Sequence, residues 1–345
     1  MSMTSPWVSA IRSLIRLSFC CSVCALLVAG CGGDGVTSRS LVTPAALPGI
    51  LARFWQENNR ANRAQSVALQ DRDEEGSAAA IDNESYVIAR AYDAAFHAAS
   101  PPYQPSSQPF AGGAVWRQRS YPLIALELAP VQYSRCAQAL AFVRDSAGAP
   151  WRAAVEPLVD AALMPRLRYG GGGFAVPVSP DGRFAVGLRS LAGYLARTMT
   201  RYAYMGGRST ALPSAMLPTD VCWPLPDLPD EVAVTEGDGL LDTVSVRPAY
   251  GEPLAWSTQG EGAFVLLSLD ASITFHAPGG RFVTTAVQWI ASGEPAYFTV
   301  RPGRYRTITF NSGIELAVLD PPAGHDAGVR VIGTYSGLLP GSTTP

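Results

Sequence analysis

The chain contains no lysine: all 26 basic residues among its 345 are arginine. This excludes Schiff-base chemistry, a lysine general base and a phosphate loop of the Walker type. Histidine is almost as scarce. His97, His276 and His325 are far apart, and none lies in a His-x-x-His or Glu-x-x-His arrangement, so imidazole metal ligation has no supporting spacing. A dyad of His276 with Asp270 or Glu261 is the one acid-base pairing that the histidines offer, and three scattered histidines are more often surface groups. No Gly-x-Ser-x-Gly elbow occurs, and no cofactor motif is present, so no cofactor is expected. These absences favour a non-catalytic protein.

What is present begins at the N-terminus. Arg12 and Arg16 precede an apolar stretch, Leu17 to Leu27, that ends in Val28, Ala29, Gly30 and Cys31. The arrangement resembles a bacterial lipoprotein signal. The resemblance implies a signal peptide over residues 1–30, cleavage before Cys31, a diacylglycerol on that sulfur, and a body tethered to the outer side of the cytoplasmic membrane. The alternative is a transmembrane helix, but the uncharged stretch to Gly33 is short against the roughly 20 apolar residues a span needs. No second run of comparable length follows. After cleavage, 24 basic residues face 28 acidic ones, and a net charge of -4 argues against a nucleic-acid partner.

Three of the six cysteines leave with the signal and Cys31 carries lipid, which leaves Cys136 and Cys222. Outside the cytoplasm an even remainder points to one disulfide, while two separately buried thiols are the alternative.

Residues 31–46 read as the lipidated cysteine and a flexible tether. The apolar residues Leu47, Ile50, Leu51, Phe54 and Trp55 then fall on one helical face, and the pattern runs to about Leu69. Asp71, Asp73, Glu74 and Glu75 read as a solvated loop. A second helix is expected from near Asp82 and Asn83, stopping before Pro101. Strands are expected at 112–119, 122–129, 137–144 and 150–158, with a turn at Asp145 to Gly148. Four glycines from Gly170 to Gly173 and the Ser179-Pro-Asp-Gly182 turn mark an expected division. A helix from about Ala185 to Tyr204, a proline-rich linker and a series of short strands follow. The fold class read from this order is α+β in two domains, 47–178 and 179–345, each a long helix on a curved antiparallel sheet.

Three stretches, Arg53-Phe-Trp-Gln-Glu-Asn-Asn-Arg-Ala-Asn62, Phe142-Val-Arg-Asp-Ser-Ala-Gly-Ala-Pro-Trp-Arg-Ala-Ala-Val-Glu-Pro157 and Gly333-Thr-Tyr-Ser-Gly337, together resemble a family of actinobacterial lipoproteins whose main domain has no assigned function. The hairpin carrying Trp151 also looks like the terminal strands of nuclear transport factor 2-like or cystatin-like domains. That likeness implies cone-shaped halves that hold a small-molecule pocket, form a dimer surface or are filled by side chains.

Phe54, Trp55, Asn58, Asn59 and Asn62 are the candidate ligand-binding residues, because the apolar stripe of the first helix continues at helical spacing into three amides. A buried amide left unsatisfied costs about 1–3 kcal/mol, so each needs a partner, either the facing strands or a ligand. Arg301, Arg304 and Arg306 with Tyr305 form a small cationic patch or a solvated strand edge. Exposed aromatics among Trp223, Trp256 and Trp289 would mark an interaction surface. The expected function is a membrane-tethered envelope protein that binds a small apolar ligand or an envelope protein, with a small cone-fold isomerase or cyclase, or a structural interaction protein of a membrane complex, as the rivals.

Overall fold

Buried residues on the first helix recur at spacings of three and four, as expected for an amphipathic helix lying on a sheet. In the computed structural model, which describes residues 41–96, 112–116, 118–131, 135–179, 181–204, 212, 216, 222, 241–277, 279, 283–285, 303–326 and 328–344, this helix is α1, Leu47–Ala64. Leu47, Ile50, Leu51, Phe54, Trp55, Asn58 and Ala61 form its buried face. It stops earlier than expected, because Gln65 adopts a left-handed conformation (φ 45°) and donates its N–H to the Ala61 and Asn62 carbonyls. The short α2, Val67–Gln70, follows.

The acidic stretch after α2 is not a solvated loop. Ala153 N–H donates to the Asp73 carbonyl at 2.7 Å, Glu75 N–H donates to the Ala153 carbonyl at 2.8 Å, and Asp73 and Glu74 are buried. The segment is held edge-on by a strand far along the chain. It leads directly into α3, Gly76–Phe96, which starts about six residues before the expected Asp82 and Asn83 cap. The turn is made at Gly76, whose φ of 62° suits glycine.

Four strands follow where the alternation placed them: β1 Gly112–Val115, β2 Leu123–Pro130, β3 Cys136–Arg144 and β4 Arg152–Val155, with β5 Leu158–Asp160 after a break. Both β4 and β5 pair with β3, β4 with its end and β5 with its beginning. Glu156 and Pro157 sit at the junction. Next come α4 Leu188–Tyr204, β6 Leu241–Ser257, β7 Ala263–His276, the ribbon of β8 Val283–Thr285 and β9 Gly303–Tyr305, then β10 Thr307–Asp320 and β11 Arg330–Thr344.

Nine strands make one large antiparallel sheet in the order β1, β2, β3, β5, β11, β10, β7, β6, with β4 also on β3. Its continuity changes the expected division. β5 pairs with β11 through Val159 and Leu158 opposite Gly333 and Thr334, so the α+β chain is not clearly two domains. The expected glycine linker is also pinned to both halves. Ala175 bridges Trp116 and Tyr169, Leu167 bridges Thr258, and Pro177 bridges Trp256.

Three apolar clusters fill the fold. One places α1 against Val115, Leu123, Ala125, Leu140, Phe142 and Ala153, and a second joins Leu126 and Ala139 to Trp256, Phe264 and Leu266. The third packs Leu191, Leu195 and Met199 of α4 on Val265, Leu267 and Leu269. Strand β7 is thus apolar toward α4 at odd positions, while Ser268 and Asp270 point to the other side, where α3 lies. Each fully buried Leu or Phe contributes about 1.5–3 kcal/mol.

Candidate functional site

Helix α3 approaches β10 and β11 unusually closely, because the two strands present paired glycines. Gly313 faces Gly337 across the ladder, and a Cβ on Gly337 would lie 2.3 Å from Cγ2 of Ile81. Close approach brings the first turns of α3 down onto Glu315 and Tyr335, which are cross-strand neighbours on β10 and β11. Around this contact five acidic side chains meet: Asp73, Glu74, Asp82, Glu156 and Glu315. Glu74 is 1 % exposed and Glu315 is 0 % exposed, while Asp82 is partly exposed.

Hydrogen bonds organise the cluster. Ser77 donates to Oε1 of Glu315 at 2.5 Å, and Glu156 N–H donates to Oε2 at 2.6 Å. Tyr335 donates to Oδ1 of Asp82 at 3.0 Å, and the Gln70 amide donates to Oδ2 at 3.3 Å. Gln138 donates to Oε2 of Glu156 at 2.9 Å. Asn58 donates to Oε1 of Glu74 at 3.0 Å and accepts from Asn62 at 2.6 Å. Tyr86 closes the network by donating its hydroxyl to Oε1 of Gln70 at 2.5 Å, with Oδ1 of Asn62 lying 3.1 Å from the same oxygen. Three acceptors are left over: Oε2 of Glu74 and both carboxylate oxygens of Asp73 are buried without a hydrogen-bond partner.

Burial dominates the electrostatics. It pushes Glu74 and Glu156 well above the ordinary glutamate value, helped by their acidic neighbours. Glu315 is raised to about 8, Asp73 to about 7 and Asp82 to about 6, again chiefly by desolvation. Tyr335 is likewise held well above its usual range by burial and by the carboxylates around it. Among the described residues the ion pairs lie outside this group, as in Arg152 with Glu75 and Asp145, both at 2.5 Å. One oxygen from each of Glu74, Asp82 and Glu156 lies within 4.8 Å of the others, a grouping with the donor chemistry for a hard cation.

The expected ligand-binding residues therefore separate. Asn58 and Asn62 enter this network, and Asn59 is half-buried beside it on α1. Phe54 and Trp55 instead fill the core, in edge contact with each other at 5.1 Å, with Phe54 also 5.4 Å from Phe142. The sequence reading missed the carboxylates themselves, although each of the three stretches quoted above sends a member to the cluster: Asn58 and Asn62, Glu156, and Tyr335.

A cleft of about 460 Å³ opens on the other flank of α3. Its apolar walls are Val67, Ala80, Val87, Leu339 and Pro340, and its polar ones include Glu84, Arg247 and Asp270. Arg247 donates to Oδ2 of Asp270 at 3.3 Å, whereas Oδ1 of Asp270 is buried without a partner. His276 does not join Asp270 in a dyad. It is exposed and meets Thr307 at 3.2 Å.

Cys136 and Cys222 form a disulfide. Trp256 is fully buried, between Trp116 and Phe264, and is no part of an exposed aromatic surface; Trp223 and Trp289 lie outside the described residues. Arg304 and Arg306 are exposed at the β9 to β10 turn, and Arg301, His97, Cys31, the signal segment and the tether lie outside the described residues. No helix among the described residues is long and apolar enough to cross a membrane. No curated protein and no solved structure matches the chain. Residues 38–340 do match a family, described as Domain of unknown function (DUF8094), and because the match takes in nearly the whole chain the protein belongs to that family.

Proposed function

We propose that this is a lipid-anchored envelope protein, tethered through Cys31 on the extracytoplasmic side, that binds a small ligand without transforming it. The cleft beside α3 is the seat of the ligand, rather than the face of α1 that carries Phe54 and Trp55. One observation carries this reading. The cleft couples an apolar wall, including the exposed Val87, to a buried Asp270 oxygen that has no partner and an Arg247 guanidinium that is largely in solvent. A ligand with an apolar body and a polar head that both donates and accepts hydrogen bonds satisfies all three features. The signal resemblance at residues 1–31 and the resemblance of three stretches to actinobacterial lipoproteins support the tether. In this reading α1 on β1 to β4 and α4 on β6 and β7 are two helix-on-sheet units of cone type, merged through a shared sheet.

Native mass spectrometry of the full chain extracted in mild detergent tests it. A bound small molecule that is released on denaturation, and that is lost when Val87→Arg and Leu339→Arg block the apolar wall, is the expected result. A clean protein mass in the unaltered chain overturns the reading.

The rival reading as an acid-base enzyme has one observation in its favour. Burial raises both Glu84 and Asp270, and the two carboxyl groups share the cleft with Arg247. Turnover of the captured molecule that is abolished by Glu84→Gln would favour it over simple binding.

A further inference from the structure

The geometry points to a divalent-cation site, calcium by preference, formed by Glu74, Asp82 and Glu156 in the interior between α3, the β4 to β5 junction and the acidic segment after α2. It stands apart from the ligand cleft and does not depend on it.

Two independent observations carry the inference. The first is the convergence of three carboxylates from three separate parts of the chain, with one oxygen of each within 4.8 Å of the others. Three oxygens no more than 4.8 Å apart lie within about 2.8 Å of a common centre, so a few tenths of an ångström of inward side-chain movement brings all three to a calcium–oxygen distance of about 2.4 Å. The second is the oxygen Oε2 of Glu74. The side chain is 1 % exposed, its Oε1 is held by Asn58, and Oε2 has no hydrogen-bond partner, as is also true of both oxygens of the neighbouring Asp73. A buried carboxylate oxygen left bare costs free energy unless a cation or a proton meets it.

The surrounding hydrogen bonds favour the cation. Both oxygens of Asp82 and both oxygens of Glu315 accept hydrogen bonds that hold them in place, and a bound cation would displace the protons that burial otherwise favours on these groups. Among the described residues no arginine forms an ion pair with Glu74, Asp82 or Glu156. All donors are carboxylate oxygens, which selects hard cations over soft ones. Scarcity of solvent selects further. Magnesium dehydrates reluctantly and keeps several waters, whereas calcium accepts a largely protein-made shell. Asp82, partly exposed, gives the ion its way in. Asn58, Gln138, Tyr335 and Gln70 then act as positioning residues that aim the ligand oxygens.

The full chain, purified in mild detergent and stripped with a chelator, is titrated with calcium chloride and separately with magnesium chloride by calorimetry, with thermal unfolding followed in parallel. One saturable calcium event per chain, a higher unfolding temperature with calcium, and at least tenfold weaker magnesium binding are expected. The double variant Glu74→Gln with Glu156→Gln should bind calcium at least a hundredfold more weakly, while unfolding in chelator no earlier than the unaltered chain, since like charges have been removed. If that variant does not fold, Asp82→Asn at the partly exposed position should produce the same loss. The exposed Asp326→Asn should leave binding unchanged. Absence of saturable calcium binding in the unaltered chain, or retention of it in the folded variants, overturns the proposal.

Discussion

Glu127 shows how far a single side chain can stand from its usual behaviour. It lies on β2 between Ala125 and Ala129, is fully buried, and neither carboxylate oxygen has a hydrogen-bond partner. Burial lifts it from 4.5 to about 8. Between those values the folded protein holds a proton on Glu127 that the unfolded chain releases, so its contribution to stability is complete below about pH 4.5 and is lost as pH rises through about 8. Urea unfolding at about pH 5 and about pH 9 should therefore show a fall in stability that Glu127→Gln reduces, with the variant the more stable of the two at the alkaline end; equal slopes in both proteins would contradict this. Such residues explain what local reading misses. Glu74 belongs to a run of acidic residues that looks solvated in sequence, and only the hydrogen bonds from the neighbouring segment to Ala153, nearly eighty positions away, put it inside. Asn58 was more legible. Its place on an apolar stripe required a partner, but nothing local named Glu74 as that partner.

At the scale of elements, the packing of α3 on β10 and β11 rests on what the strands omit. Ile81 occupies the space above Gly313 and Gly337, where added Cβ atoms would come within 2.8 Å and 2.3 Å of it. Gly337→Ala should cost about 1–3 kcal/mol in urea unfolding through overpacking. Ile81→Ala alone should cost about 2–5 kcal/mol through the cavity it leaves. In the double variant the new methyl group enters that space, so the combined loss should be smaller than the two losses added; strict additivity would show that Ile81 and Gly337 do not meet. Helices and strands were read well where periodicity was strong, as in α1, α4 and β1 to β4. They were read poorly where a long-range contact set the boundary. The start of α3 depends on the hold of β4 on residues 73–75, and β7, in a region expected to hold only short strands, runs for 14 residues because it is flanked along its whole length by β6 and β10.

For the molecule as a whole, the continuous sheet predicts cooperative behaviour. Residues 39–345 form one compact unit, and the cluster containing Trp256, Phe264, Leu126 and Ala139 draws on both sides of the expected division. The disulfide adds a covalent tie across 86 positions, worth about 4 kcal/mol in the chain-entropy model. Far-ultraviolet circular dichroism and tryptophan fluorescence should thus report one coincident unfolding transition for the full chain, and two separated transitions would restore the two-domain picture. That picture arose because four consecutive glycines look like a linker when the partners at Trp116 and Thr258 are out of view. The ends of the sheet have a consequence of another kind. The order terminates on β1, four residues long and beginning Gly112-Gly113, and on β6, which carries Arg247 and Pro248 and breaks register between Ala249 and Leu254. Among the described residues one edge is short and the other is interrupted by Pro248 and the register break, features that discourage a neighbouring copy from extending the sheet.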